Sequence, residues 1–170
     1  ELISPDAGTV TLGSNVHIGY YDQEHQQLHM EKTIFDEIAD DYPNLNNTKV
    51  RNVLAAFLFT DDDVYKRIED LSGGERGRVA LAKLMLSDAN FLILDEPTRG
   101  VDVGAKREIY KIINDFAEKE YSIVMISSEM PEIMGMCDRV IVMRGGEITG
   151  ELRKEDLTEN NLIALSMGVN

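Results

Sequence analysis

The 170 residues carry a net charge of −14, with 43% hydrophobic and 28% charged positions. That is the balance of a soluble globular domain large enough to bury its own core, and an acidic surface of this size repels phosphate backbones, which argues against direct DNA binding. No apolar run reaches the ~18 residues of a membrane-spanning helix. The single cysteine, Cys137, excludes an internal disulfide and a zinc-type cluster. The expected compartment is the cytoplasm, with any place at the inner face of a membrane reached through a partner.

The chain opens at Glu1 rather than Met, which reads as a piece of something longer. Thr9 to Leu12, the turn Gly13-Ser14-Asn15 and Val16 to Tyr21 predict a β-hairpin. A polar, irregular stretch with His25 and His29 follows. From Lys32 the apolar period changes to that of a helix, marked by Ile34, Phe35 and Ile38 and ending before Pro43. Asn46-Asn47-Thr48 can cap a second helix, with Val50, Val53, Leu54, Phe57 and Leu58 inward. Asp61-Asp62-Asp63 caps a short turn. Residues 31–70 therefore read as a small all-helical insert.

Ser72-Gly73-Gly74 opens a helix whose inner stripe is Val79, Leu81, Ala82, Leu84 and Met85. Phe91 to Leu94 is a short, wholly apolar strand, the pattern of a strand covered on both faces. Residues 103–119 predict an amphipathic helix on Ile109, Ile112, Ile113 and Phe116. Ser122 to Ile126 reads as another buried strand, Met130 to Cys137 as a short helix and Arg139 to Met143 as a strand. Gly145-Gly146 turns that strand into Glu147-Ile148-Thr149, a second hairpin. Thr158 or Glu159 starts a last helix through Leu165. The alternation of strand and helix implies a parallel core sheet.

Two motifs carry chemistry. Leu71-Ser72-Gly73-Gly74-Glu75 stands 20 positions before Phe91-Leu92-Ile93-Leu94-Asp95-Glu96-Pro97. Asp95 and Glu96 emerge at the C-terminal end of an apolar strand, the edge where open α/β sheets place ligands. There Asp95 can hold Mg²⁺ and Glu96 can orient and deprotonate an attacking water; the plainer reading is two carboxylates capping a loop before Pro97. Ser72-Gly73-Gly74 at a helix start offers free N–H groups and the positive dipole end to a phosphate, and reads equally as an ordinary N-cap. The pairing of the two motifs favours the chemical readings.

With these motifs the chain resembles the ATP-binding-cassette (ABC) ATPases over nearly all its length. The resemblance implies an α/β, P-loop-NTPase-like three-layer domain: a β-hairpin region to residue 23, a helical subdomain over 24–72 and a core half over 73–170. It also implies two cassettes packed head to tail, with ATP and Mg²⁺ between them. Ser72, Gly73 and Gly74, with Glu75 of the same motif, would face ATP held by a second cassette. Asp95 and Glu96 would serve the chain's own nucleotide. Gln23 matches the Q-loop glutamine that senses Mg²⁺ and the attacking water, and Asp102 matches the D-loop aspartate that bridges cassettes. A membrane permease or the ribosome would be the further partner.

Two departures stand out. No G-x-x-x-x-G-K-[ST] loop occurs in the 170 residues: Gly145 and Gly150 have its glycine spacing, but Glu151-Leu152 follows, and a carboxylate there repels phosphate. The expectation is a cassette lacking the P-loop strand and helix, with little activity alone and with Ile123 to Ile126 on an open sheet edge prone to self-association. The position matching the family's switch histidine is Ser128, which cannot act as a charged γ-phosphate sensor. The resemblance also divides. Residues 1–98 look like the F subfamily of ribosome-associated twin-cassette ATPases. Residues 98–170, through Pro97 to Glu108 and Ser127 to Glu132, look like the second cassette of sugar-importer ATPases. That is the pattern of a hybrid joined near Asp95-Glu96-Pro97-Thr98, or of one branch that has drifted toward both.

Overall fold

The computed structural model describes residues 8–22 and 28–168. Gln23 and His25 lie outside the described residues. The first strand, β1 (Ile18–Tyr21), is followed by α1 (Ile34–Asp41), α2 (Asn47–Ala56) and two 3₁₀ turns, Asp61–Tyr65 and Ile68–Asp70. Then come α3 (Gly73–Leu86), β2 (Phe91–Asp95), α4 (Val103–Glu118), β3 (Ser122–Ile126) and α5 (Met130–Met136). The chain closes with β4 (Arg139–Arg144), β5 (Glu147–Arg153), a 3₁₀ turn and α6 (Glu159–Met167).

The sheet β1-β2-β3 is parallel throughout, as the alternation of elements predicts. Its register sets Ile93 between Tyr20 and Val124, and Asp95 beside Ile126. Side chains alternate between faces, so Gly19, Tyr21, Leu92 and Leu94 share one face. They are buried in a core with Val79, Leu81 and Ala82 of α3 and Ile109, Ile112, Ile113 and Phe116 of α4. The same core extends without a break through Ile34, Ile38, Val50 and Leu54 of the first two helices.

The first hairpin does not form. Residues 9–13 contain no strand, Val10 and Leu12 are exposed, and β1 pairs with β2 instead. A local turn does close there, from Val16 N–H to the Gly13 carbonyl at 3.2 Å. The short apolar strands also differ from the expectation of burial on both faces. Ile18, Tyr20, Val124 and Ile126 are 45–49% exposed, because no element among the described residues covers that side of the sheet. β3 is an edge strand there, as expected.

Asn46 caps α2 through Lys49 N–H, Thr33 caps α1 through Asp36 N–H, and Thr158 caps α6 through Asn161 N–H. The C-terminal hairpin β4–β5 is antiparallel, turns at Gly145-Gly146 with both φ positive, and carries a bulge at Val142/Met143. It packs with α5 and α6 on a second, smaller core of Val140, Leu157 and Leu162, against which Ile133, Met134 and Cys137 lie.

Candidate functional site

Strand β2 delivers Asp95 and Glu96 to the C-terminal end of the sheet, beside the end of β3. Asp95 Oδ2 accepts a hydrogen bond from the Tyr20 hydroxyl at 2.9 Å, across two strands whose register sets Tyr20 beside Ile93. That bond, with burial and the nearby charge of Asp95, raises the Tyr20 pKa above its ordinary value.

Glu96 follows at φ +46°, in the left-handed region that non-glycine residues avoid. Such a backbone costs of order 1 kcal/mol and persists only where its surroundings fix it. Here the Glu96 N–H donates to the Ile126 carbonyl at 2.8 Å and the Glu96 carbonyl accepts from Arg99 N–H at 3.1 Å. The side chain is held as well. Glu96 Oε1 accepts the backbone N–H of Ser128 at 3.1 Å, while Oε2 is buried without a hydrogen-bond partner. Ser128 thus reaches the acidic pair through its main chain.

A buried carboxylate oxygen without a partner is costly unless something polar meets it. Two adjacent carboxylates, one of them so placed, fit a hydrated divalent cation. Among the described residues no group of three or more His, Cys, Asp or Glu side chains could hold a metal by protein ligands alone. Mg²⁺ does not need one, since it commonly takes one or two carboxylates and completes its shell with phosphate and water.

The turn Ser72-Gly73-Gly74, here called the signature turn, lies at the start of α3. Ser72 is the N-cap of a full capping box: its hydroxyl accepts Glu75 N–H at 3.3 Å, and Glu75 Oε2 accepts both the N–H and the hydroxyl of Ser72 at 2.8 Å each. Burial acts to raise the Glu75 pKa, but the bonds from Ser72, with Lys66 and Arg78 nearby, outweigh it and leave the value lowered. The N-cap reading of the sequence is therefore realised. The N–H groups of Gly73 and Gly74 belong to the first turn, where helix geometry supplies no partner. A Cβ on Gly73 would meet nothing within 4 Å, so the surface over it is open. A Cβ on Gly74 would lie 2.6 Å from Ala105 Cβ and 3.2 Å from Val101 Cγ1. Gly74 thus serves the packing of α3 on the start of α4.

Asp102 occupies that start. Its Oδ1 accepts the N–H groups of Gly104 and Ala105 at 3.0 Å each, capping α4. The structure brings Asp95, Glu96 and Ser128 together. Ser72, Gly73, Gly74 and Glu75 form a separate cluster, which α3 packs near Asp102. Tyr20, Thr98 and Glu132 bond to the first cluster or to the turns that carry it, and the sequence alone singled out none of them. Tyr20 becomes visible only once β1 is paired with β2.

A family model described as "ABC transporter" matches residues 2–99. The putative ATP-binding protein YdiF of Bacillus subtilis is 42% identical over 148 residues, which cover 87% of this chain and 23% of that protein. The ribose import ATP-binding protein RbsA of Caldanaerobacter subterraneus is 40% identical over 143 residues, covering 82% of this chain and 29% of that protein. The L-arabinose transport ATP-binding protein AraG of Geobacillus stearothermophilus is 50% identical over 109 residues, covering 64% of this chain and 21% of that protein. The chain thus spans between a fifth and a third of the length of these relatives. In fold it resembles a solved dimer of the ATP-binding cassette MJ0796 in a post-hydrolysis state with ADP and Pi. The TM-score is 0.69 at 17% identity, over 82% of this chain and 64% of that one.

Proposed function

Because the chain belongs to the ABC transporter family, as part of an ATP-binding domain, we propose that it contributes two surfaces to ATP hydrolysis at a cassette dimer. One surface is the acidic turn after β2. The other is the signature turn at the start of α3, which would face nucleotide on a second cassette.

Glu96 carries the reading. One of its carboxylate oxygens is fixed by Ser128 N–H and the other is buried with nothing to bond, the arrangement required of a base that must meet a water at a set position. Bound Mg²⁺ would neutralise developing phosphate charge. Asp95 would hold the cation, with Tyr20 fixing its second oxygen. Glu96 Oε2 would accept the proton of the attacking water. Gly73 N–H and Gly74 N–H, with Ser72, would bind a phosphate presented from across the interface.

The test is ATP binding and turnover by the chain, alone and together with a cassette segment that supplies a P-loop. Glu96→Gln is expected to keep nucleotide binding and abolish turnover. Turnover that survives the substitution removes Glu96 as the base.

A second reading has its own support. The 170 residues contain no G-x-x-x-x-G-K-[ST] loop, so the chain can act as a module that lends its signature turn to a complete cassette. In that case Ser72→Arg would abolish turnover while Glu96→Gln would leave it intact. As to the wider partner, the relatives named for ribose import and L-arabinose transport support a membrane permease, and the charge of −14 disfavours ribosomal RNA. Co-sedimentation with membranes rather than with ribosomes is the expected outcome.

A further inference from the structure

We propose that Glu132 is a positioning residue for Glu96, acting as a clamp between the turn after β2 and the turn after β3. The proposal rests on the reading of Glu96 given above for its functional meaning, while the clamp itself stands on geometry alone.

Glu132 lies on α5 and is 2% exposed. A carboxylate at that depth is expensive unless its oxygens are bonded. Both are. Thr98 Oγ1 donates to Oε1 at 2.9 Å, and Ser127 Oγ donates to Oε2. The two donors come from different segments. Thr98 is fully buried and sits two residues after Glu96; Ser127 immediately precedes Ser128. The Ser127 hydroxyl also accepts Glu129 N–H at 3.0 Å, which directs its own proton to Glu132. On the other side the Tyr21 hydroxyl donates to the Pro97 carbonyl at 3.3 Å, and the Tyr110 hydroxyl lies 3.5 Å from Thr98 Oγ1.

The spacing between the two turns is what lets Ser128 N–H meet Glu96 Oε1. Glu132 spans that spacing with two bonds to one carboxylate. A carboxamide replaces it only in part, because its NH₂ group turns one of the two hydroxyls from donor to acceptor. Glu132 bonds to Thr98 and Ser127 and not to Glu96 itself. Its effect on Glu96 runs through Thr98 and Ser127.

The experiment uses ¹⁵N-labelled full chain and follows the Ser128 amide by NMR. In the wild type, the Ser128 amide is expected to be protected from exchange by its bond to Glu96 Oε1, and Glu96→Ala should remove that protection. In Glu132→Gln and in Thr98→Val, Ser128 should exchange with solvent at least tenfold faster, as in Glu96→Ala. Thr98→Ser, which keeps the hydroxyl, should behave as wild type. Amides in α4, such as Ile112, should be unchanged in every variant. Should Glu132→Gln fail to fold, the comparison of Thr98→Val with Thr98→Ser decides the matter. Wild-type exchange at Ser128 in Thr98→Val, or changes spread equally over Ile112, overturn the clamp. If Ser128 responds as expected but the chain never turns over ATP beside a P-loop, the ATPase reading fails and the clamp stands.

Discussion

Glu75 closes on Ser72, with one carboxylate oxygen taking both the N–H and the hydroxyl of the serine at 2.8 Å. The chain's own anion thus occupies two donors at the head of the signature helix. A phosphate arriving there must share the turn with it or displace it.

The capping box makes the first prediction. Loss of an N-cap side chain costs about 1 kcal/mol, so Ser72→Ala should lower stability by that amount in urea denaturation. Glu75 has a folded pKa below its unfolded one. Its contribution is therefore present above the ordinary glutamate range and is lost as pH falls through the lower folded value. Thermal melts of wild type and Glu75→Gln should differ at neutral pH and converge in acid. A gap that widens in acid would reverse the sign of the linkage.

The two glycines of the turn should separate under substitution. Gly74→Ala pushes a methyl into Ala105 and Val101 and should cost about 1–3 kcal/mol through overpacking. Gly73→Ala meets open space and gains helix propensity, so its melting temperature should hold or rise. If the turn binds phosphate, Gly73→Ala should still weaken nucleotide-dependent association. Stability and association measured on both variants resolve the packing role from the binding role.

The buried charge cluster under the helical arm offers a third test. Glu37 is fully buried and is met by Lys83 Nζ and by His29 Nδ1 at 3.1 Å, while Lys83 also meets Asp41 at 2.7 Å. Burial works against the charge on Lys83, but Asp41 and Glu37 prevail and raise its pKa. Lys83→Met strands the Glu37 carboxylate and should cost about 3 kcal/mol. Glu37→Leu combined with Lys83→Met should recover most of that loss in the same urea titration, since an apolar pair of similar volume needs no compensation.

The uncovered face and edge of the sheet predict association. Val124 and Ile126 are 45% and 49% exposed on the edge strand. Exposed apolar edges pair with one another. Sedimentation velocity should show concentration-dependent self-association, and Val124→Lys should suppress it without changing helix content. A monomer at all concentrations would remove the sheet as an adhesive surface.

The parallel sheet, the helical insert and most caps were legible because each rests on a local signal. Asn46, Ser72 and Thr158 announce helix starts with their own side chains. The first hairpin was misread for the opposite reason. Val16 to Tyr21 has the right pattern for a strand, but its partner β2 lies some 70 residues away, and a nearby turn at Gly13 suggested a closer one. The motif residues could be found by type, but not what they bond to. Asp102 stands where the resemblance implies a bridging aspartate and is seen capping its own helix. Glu132 follows a proline in a short helix and looks unremarkable in sequence; only folding buries it between two hydroxyls from separate turns.

The second core has a consequence for how the molecule comes apart. Val140, Leu157 and Leu162 are its only buried apolar side chains among the described residues, worth at most roughly 1.5–3 kcal/mol each. The C-terminal ribbon and α6 lean on that small reserve, while the sheet rests on the much larger one beneath it. Gentle heating or a brief protease exposure should therefore nick the chain beyond β3 first, giving a sub-global opening that precedes loss of the sheet.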